Sequence, residues 1–406
     1  MNSPFTPPDF ADRLSAFAEV IIRVGLNLQP GQPLLIAEPY EQQGVACCAE
    51  VSVGAIIAAA HAAHGGPVEI IWSERDSIRA LVEGADQAGF ERLVAGNAWR
   101  MNQHISRGGA LLFLTGSEPR LFAGIPAENL AAFHELNWRH LGPVVRRLVC
   151  GATQWSLAPA PSPAWAALAF PEQPEERQMA SLWNTVFAAF RVESGHPPLA
   201  AWQTQLATLG GLAARLNARR VRTVRYEGEG TDLSVELPAK HVWCTAQLTS
   251  RAGVPFVVNL PTEEVFTAPE KSSAEGVVRV SRPVAHGGAV MEGIELEFHA
   301  GKVVRSFATT NADLLEHLLA TDSGAGRLGE VALLAKDLGE DAAPWQQSRQ
   351  IFHHMILDEN GANHIALGAA YPFCLRGWFK LSANRSLVHV DLPLDARASL
   401  VAEAAT

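Results

Sequence analysis

The chain has 406 residues, of which 48% are hydrophobic, and a formal net charge of -10 at pH 7. A chain of this length exceeds what one hydrophobic core usually supports, so we expect two domains that fold without disulfides. The acidic residues are spread along the sequence, which argues against a nucleic-acid or anionic-membrane partner and favours a peptide or small-molecule substrate.

Cysteine usage and the N-terminus indicate the compartment. The chain has five cysteines, an odd number in which Cys47 and Cys48 are adjacent, and this is not a disulfide framework. The first residues lack a basic segment followed by a long apolar run, and no stretch is long and apolar enough to span a bilayer. We therefore expect a soluble, cytoplasmic protein that does not enter the membrane.

The first half of the chain alternates helical patterns with short apolar runs. Apolar spacing predicts a helix from Phe10 to Val24 and a long alanine-rich helix from Gln43 to Ala63. Buried strands are predicted at residues 33–38, Pro67–Trp72, Ala110–Gly116 and Thr153–Ala158. This alternation is typical of an α/β domain with a mainly parallel sheet and flanking helices. We assign residues 1–195 to this domain.

No motif in the first half assigns it a function. None of its strands is followed by a glycine-rich phosphate cradle, so we expect a scaffold or lid rather than a nucleotide-binding domain. His61 and His64 lie three residues apart on a predicted helix and could share a metal. Because no carboxylate partner is evident, we predict that both histidines face solvent.

The second half has a different pattern. The segment VESGHPPL concentrates glycine and proline, which favours a domain boundary there, and residues 196–406 form the second domain. Helices are predicted at Ala200–Asn217 and at Asn311–Ala320, with Asn311 as an N-cap. Period-two alternation predicts antiparallel strands at residues 222–228, 231–237, 277–284, 294–300 and 302–308. We expect an α+β domain whose antiparallel strands carry a metal site.

Two segments near the C-terminus collect groups that bind metals. In SLVHVDL the period of a strand puts His389 and Asp391 on one face, so an imidazole and a carboxylate converge on one point. Upstream, LDENGANHIALGAAY supplies His364, the carboxylate of Glu359 and the phenol of Tyr371. Taken alone, His364 could instead be a hydrogen-bonded core histidine.

Further carboxylates precede these segments. Glu263 and Glu264 are adjacent in NLPTEEVFTAP, and neighbouring side chains of an extended strand point opposite ways, so at most one of them serves a given site. Glu330 enters an apolar run, where a carboxylate needs a cation or a donor to offset its desolvation. A solvent-exposed glutamate at a strand end is the alternative for Glu264 and for Glu330.

The candidate ligands form a set rich in oxygen, with imidazole nitrogens and no thiolate. They are Glu264, Glu330, His364, His389 and Asp391. Such a set suits two divalent ions, and zinc, cobalt, manganese and magnesium all remain possible. Two dications carry four positive charges, which three carboxylates and one bridging hydroxide would cancel.

The motifs NLPTEEVFTAP, GRLGEVAL, DEN...HIALG..Y and NRSLVHVD resemble those of the thermophilic-type metallo-aminopeptidases, the aminopeptidase T and aminopeptidase S group. The likeness extends to GLNLQPGQ and GTDLSVEL and so covers most of the chain. The resemblance implies a homodimer of two-domain subunits that removes N-terminal residues from peptides. It also implies that the five candidate ligands bind two metals and that Glu359 and Tyr371 are catalytic, as general base and oxyanion donor.

Two other interpretations use the same residues. Ring-cleaving dioxygenases of dihydroxypyridines look like distant relatives, and His364, His389 and Asp391 alone would form the two-histidine, one-carboxylate set that holds a single Fe(II) ion. The further glutamates are not required by such a site and favour the hydrolase. A non-enzymatic relative that keeps the site for binding or stability is the third interpretation. His353 and His354 fit none of these sites, and we expect a partly exposed surface pair.

Overall fold

A computed structural model describes residues 9–193, 197–347 and 350–402 of the protein. The predicted boundary between residues 195 and 196 lies outside the described residues, and the division into two domains therefore stays a prediction. The helices are α1 (Phe10–Val20), α2 (Glu50–Ala62), α3 (Arg75–Glu83), α4 (Gln87–Ser106), α5 (Ala127–Val149), α6 (Pro163–Ala169), α7 (Glu175–Ala189), α8 (Pro198–Arg219), α9 (Ala312–Ala320) and α10 (Met355–Glu359). The strands of the first half are β1 (Leu34–Ala37), β2 (Val45–Ala46), β3 (Val68–Ile70), β4 (Trp72–Ser73), β5 (Ala110–Thr115) and β6 (Trp155–Pro159).

The strands of the second half are β7 (Val221–Gly228), β8 (Thr231–Glu236), β9 (Gln247–Thr249), β10 (Pro255–Val257), β11 (Glu264–Thr267), β12 (Glu275–Arg279), β13 (Val284–His286), β14 (Ala289–Met291), β15 (Glu295–His299), β16 (Lys302–Phe307), β17 (Leu328–Leu334), β18 (Asn363–Gly368), β19 (His389–Leu394) and β20 (Ala396–Ala402). Among the described residues, none of the helices combines the length and apolarity needed to cross a bilayer.

The first half contains the expected parallel sheet. Its four strands lie in the order β3-β1-β5-β6, and every neighbouring pair is parallel. The central strands β1 and β5 are buried along their whole length, as the apolar runs predict for strands that helices cover on both faces. The parallel sheet with helices is therefore confirmed.

Two predicted helices of this half have different bounds. The helix expected from Gln43 begins only at Glu50, because β2 instead pairs in parallel with β4. Gly44 lies so close to the backbone of Trp72 that a Cβ atom there would be 2.7 Å from the Trp72 carbonyl carbon. Tertiary pairing overrides the alanine-rich pattern in these residues. The first helix also ends early as an α-helix, and residues Ile21–Gly25 continue it as one π-helical turn.

The second half is built from two antiparallel sheets that pack face to face. A six-stranded sheet has the order β16-β15-β12-β8-β7-β20, and a four-stranded sheet has the order β11-β17-β18-β19. One hydrophobic cluster contains inward side chains of both, including Val224, Leu233, Ile365 and Leu392. Buried and exposed residues alternate along β8 and β15, as the period-two pattern predicts. Four of the five predicted antiparallel strands are confirmed, whereas the strand predicted at residues 277–284 is β12, which spans Glu275–Arg279.

A tyrosine joins the two sheets by hydrogen bonds. Tyr226 of β7 is fully buried, and its hydroxyl lies 3.2 Å from the carbonyl oxygen of Ala332 and 3.4 Å from that of His364. Both carbonyls belong to the four-stranded sheet, so the tyrosine bridges the layers at its centre.

The capping role predicted for Asn311 is wrong in one respect. Asn311 does occupy the N-cap position of α9, but its side chain makes no capping hydrogen bond. Its backbone is left-handed, with φ 56°, and its side-chain Nδ2 donates to the carbonyl of Val290 at 2.6 Å. The side chain thus anchors the helix to β14 instead of satisfying the first turn.

We predict that the core between the two sheets dominates the stability of the second half. Truncating the fully buried Ile365 of β18 by Ile365→Ala should lower the free energy of unfolding by about 2–5 kcal/mol, because it removes apolar contacts and leaves a cavity. Denaturant unfolding would measure the change. The control Val401→Ala lies on exposed β20, and its effect should stay within about 0.5 kcal/mol. Equal effects of the two substitutions would contradict this account.

Candidate metal centre

The four-stranded sheet places four of the predicted residues on one of its faces. Glu330 of β17 is opposite Ala366 of β18, and Ala366 is opposite Asp391 of β19. His364 lies two residues before Ala366, so its side chain projects from the same face. His389 lies two residues before Asp391 and shares that face for the same reason.

Glu264 reaches this face from the edge strand β11. It is opposite Leu334, which lies an even number of residues after Glu330 and therefore has the same side-chain direction. The intervening residues point the other way, and Val265 and Val331 lie in the hydrophobic cluster between the sheets. One face of the sheet is thus apolar core, and the other collects ionisable groups.

The atoms of this set lie close together. His364 Nε2 is 3.1 Å from Glu264 Oε2, 3.7 Å from Glu330 Oε1 and 3.9 Å from Asp391 Oδ1. His389 Nε2 is 3.6 Å from Asp391 Oδ1 and 3.9 Å from Glu330 Oε2. Ligand atoms of Glu264, Glu330 and His364 all lie within 4.8 Å of one another. The structure therefore brings all five predicted ligands together.

Backbone carbonyls orient both imidazoles. His389 Nδ1 is 2.8 Å from the carbonyl oxygen of Ala369, and His364 Nδ1 is 3.4 Å from that of Ala362. A carbonyl oxygen only accepts, so each Nδ1 donates to it and each Nε2 faces the carboxylates. This is the arrangement that metal-binding histidines usually adopt.

Gly368 allows β18 and β19 to approach closely beside this site. Its φ is 95°, and a Cβ atom there would collide with the carbonyl oxygen of Val388. Only glycine combines this conformation with the close contact.

The carboxylates of the site are buried without enough positive charge around them. Burial raises the pKa of Glu264 to about 8, and the carboxylates of Glu330 and Asp391 add to the shift while His364 opposes it. Burial likewise raises the pKa of Glu330 to about 8, with His389 opposing and Asp391 adding to the shift. Each of these groups would be stabilised as an anion by a nearby cation.

The donor set fits divalent ions. Glu264 Oε2 is buried and has no hydrogen-bond partner of acceptable geometry, although the His364 ring lies beside it. A cation between this oxygen and His364 Nε2 would contact both atoms, and oxygen and imidazole ligands suit the divalent metals named above.

Glu359 occupies the last residue of the short helix α10, beside these ligands. Burial raises its pKa well above its ordinary value, and the carboxylates of Asp391, Glu264 and Glu330 raise it further. The helix is held in place by its neighbour Asp358, which forms a buried ion pair with Arg282 at 3.3 Å.

Tyr371 follows β18 and lies beside the site. Its ring is 4.8 Å from that of His389 between centroids, and it stacks on Phe373 at 5.2 Å. Burial raises the pKa of its phenol well above the usual value, and the charges of Glu330 and Asp391 add to the shift. The phenol is therefore a stable proton donor at neutral pH.

The site opens into a cavity. Its apolar walls are Trp155, Ala246, Leu248, Val258, Phe266 and Phe373. Trp155 belongs to β6 of the first half, so that half contributes to the cavity wall. The polar groups described above line the rest of the cavity together with Asn259.

Several sequence expectations outside the ligand set can be compared with the structure. Glu263 points away from Glu264 and forms an ion pair with Arg191 at 2.7 Å, as the opposite directions of neighbouring side chains predict. His61 and His64 are exposed, which confirms their assignment to solvent.

The exposure predicted for His353 and His354 is wrong for His354. His354 is only 1% exposed, stacks on Trp165 and lies 3.2 Å from the carbonyl oxygen of Thr115 through Nε2. Burial lowers its pKa to about 4. Thr115 and Trp165 are distant in the sequence, and no local pattern signals this packing. His353 is partly buried.

The sequence did not single out Asn259 or Trp155. Asn259 stands in the same motif as Glu264, but an amide in a loop carries no distinctive signal, and Trp155 reads as an ordinary strand residue. Only their position in the cavity wall distinguishes them.

Comparisons with known proteins agree with this geometry. The family model described as thermophilic metalloprotease (M29) matches residues 10–403. Aminopeptidase T of Thermus thermophilus is 36% identical over 388 residues, which are 94% of this chain and 92% of that protein. Aminopeptidase AmpS of Bacillus subtilis is 31% identical over 396 residues, or 96% of this chain and 93% of that protein.

The fold is similar as well. The structure of wild-type AmpT from Thermus thermophilus superimposes with a TM-score of 0.83 at 34% sequence identity, and the match covers 97% of this chain and 98% of that one. These matches define a metalloprotease, a hydrolase whose family implies a divalent metal. The chain belongs to the thermophilic metalloprotease family M29, and the family resemblance predicted from the sequence is confirmed.

We predict that the metal-free protein loses stability as the pH rises. The ordinary pKa of glutamate is 4.5, whereas Glu264 and Glu330 have values of about 8, so the folded state holds these protons more tightly than the unfolded state. Their stabilising contribution is complete below about pH 4.5 and is lost as the pH approaches about 8. The melting temperature of chelator-treated protein, measured across this range, should fall.

Two substitutions distinguish this loss of stability from the effects of other titrating groups. In the metal-free protein, Glu330→Gln should flatten the decline, because the neutral amide has no proton to lose. Glu316→Gln on the exposed face of α9 is the matched control and should leave the pH dependence as it is in the unsubstituted protein. A decline that persists unchanged in Glu330→Gln would disprove the electrostatic cause.

Proposed function

We propose that the protein is a metallo-aminopeptidase that removes N-terminal residues from peptides, using two divalent ions. The observation that carries this proposal is the convergence of three carboxylates, two of them buried, and two imidazoles on one sheet face, next to Glu359 and Tyr371. Aminopeptidase T and AmpS, which are similar along most of the chain, support the substrate class.

The metal ligands in this proposal are Glu264, Glu330, His364, His389 and Asp391. Bound there, two divalent ions supply a nucleophile at neutral pH by lowering the pKa of water, and they polarise the scissile carbonyl. Zinc, cobalt, manganese and magnesium are all compatible with the ligands.

Glu359 is the general base in this proposal and afterwards the general acid. A base that works near neutral pH needs a pKa above that of an ordinary carboxyl group, and burial among like charges shifts Glu359 in that direction. It would take the proton from the attacking water and deliver it to the leaving amine.

Tyr371 would stabilise the developing oxyanion. Its phenol keeps its proton, because burial and the neighbouring carboxylates raise its pKa. Its ring is held between Phe373 and His389, so the hydroxyl needs little reorganisation when charge forms on the substrate oxygen.

The free amine of a peptide would bind one of the metals or a nearby carboxylate. Such binding would confine cleavage to the first residue. The homodimer implied by the family resemblance and the cytoplasmic location stay predictions.

We predict that Glu359→Gln lowers kcat for aminoacyl p-nitroanilides by about 10²–10⁴-fold, because the amide cannot accept the proton. The metal content, measured by mass spectrometry of the purified protein, should be unchanged, since Glu359 is not among the proposed ligands. Glu340→Gln, at a partly exposed residue that pairs with Arg215, is the control and should retain turnover. Near wild-type turnover of metal-loaded Glu359→Gln would exclude the role of general base.

We predict two divalent ions per chain in the active protein. Elemental analysis of metal-loaded protein, titrated against peptidase activity, gives the stoichiometry. Activity that saturates at two equivalents supports the proposal. One iron per chain together with oxygen consumption on dihydroxypyridines, and no peptide hydrolysis, would overturn it in favour of the oxygenase.

A further inference from the structure

Beyond its edge strand β6, the parallel sheet is extended by a segment that leads into the active-site cavity. Next to β6, residues Val258 to Leu260 add a short parallel pairing in which Leu157 is opposite Asn259. The backbone amide of Leu157 donates to the carbonyl of Val258 at 2.7 Å, and that of Leu260 donates to the carbonyl of Leu157 at 3.1 Å. The first half of the chain thus holds the backbone on both sides of Asn259.

Packing fixes the same segment from the other side. Leu260 is fully buried, and the π-helical turn at Ile21–Gly25 lies against it. A Cβ atom on Gly25 would be 2.8 Å from Leu260 Cδ1 and 2.9 Å from Ser156 Oγ, so the chain passes here with no space for a larger residue. The backbone of Asn259 therefore has little freedom to move.

The side chain of Asn259 points at the proposed general base. Its Nδ2 lies 3.4 Å from Glu359 Oε1, and Asn360 Nδ2 lies 3.3 Å from the same oxygen. A carboxylate oxygen accepts, so both amides donate. Two donors on Oε1 restrict rotation of the carboxyl group and leave Oε2 as the atom that exchanges protons with the substrate and water.

The two asparagines differ in their other contacts. Asn360 is fully buried, its amide also donates to the carbonyl of Ile356 at 2.8 Å, and its carbonyl accepts from the backbone amide of Glu263 at 2.7 Å. Asn360 thus belongs to the framework of the turn. Within the described residues, the Asn259 side chain makes its hydrogen bond to Glu359 alone, and it lines the cavity.

We propose that Asn259 is a positioning residue for Glu359, held by the parallel sheet of the first half so that its amide orients the carboxylate. The inference rests on the proposed function, because it assumes that Glu359 moves protons in catalysis. The distance of 3.4 Å is long for a hydrogen bond, and such contacts often shorten when substrate binds. A carboxylate that loses this restraint samples orientations in which Oε2 cannot reach the water or the leaving amine.

The test compares metal-loaded wild-type enzyme with Asn259→Ala and Asn259→Asp. For both variants we expect kcat to fall at least about tenfold, because the base loses its donor, with KM within about twofold, since Glu359 acts in the chemical step. The isosteric aspartate keeps the shape and removes the amide, so its loss should equal or exceed that of alanine. Metal content and melting temperature should stay close to the wild-type values.

A matched control separates positioning from general damage. Asn217 of α8 exchanges two hydrogen bonds of 2.9 Å with the backbone of Trp243, remote from the proposed catalytic groups. Asn217→Ala should lower the melting temperature and leave kcat within about twofold of wild type. If both Asn259 variants keep kcat within this range, or if their losses follow the metal content or KM, the positioning role is wrong. If the wild-type enzyme itself releases no N-terminal residue, the proposed function fails instead.

Discussion

The whole site depends on the two-residue period of one antiparallel sheet. Alternate side chains of β11, β17, β18 and β19 face opposite sides, so the same strands supply an apolar face and an ionisable face. Val265 and Ile365 lie in the core between the sheets, while Glu264 and His364, their neighbours in sequence, lie on the other side. Because a register shift of one residue would exchange the two faces, the apolar core also specifies where the ligands lie.

The ionisable face is electrostatically unfavourable by itself. Burial and the neighbouring carboxylates raise the pKa of Glu264 and Glu330, so the charged forms of these two buried groups are unfavourable. The fold tolerates this arrangement because the opposite face of the sheet is densely packed and because Tyr226 ties the strands to the second sheet. A divalent ion bound there would stabilise the charged carboxylates, which would couple stability to metal binding.

The sequence predicts which of these side chains share a face of the sheet, because strand periodicity is a local property. His389 and Asp391 are two residues apart, and the spacing alone puts them on one face. That only one of Glu263 and Glu264 can face the site is also a local property. Which of them does so depends on a distant residue, because Arg191 forms an ion pair with Glu263. Features that depend on distant chain segments were missed or mispredicted: the strand pairing that delays α2 to Glu50, and the burial of His354 under Trp165.

The contacts of His354 and Asn259 bear on how far the two halves act independently. Thr115 and Trp165 contact His354 just before α10, and Leu157 holds the segment of Asn259. In both cases the contacting residues belong to the first half. His354 is close to Glu359 in sequence, and Asn259 is close to it in space. One hydrophobic cluster likewise contains residues of both halves. A first half that served only as a movable cover would have to break these contacts whenever it opened, and the buried rings and backbone hydrogen bonds make that costly. The first half therefore acts as part of the wall that shapes the site, and the orientation of the carboxylate at residue 359 depends on a sheet whose own sequence carries no catalytic motif.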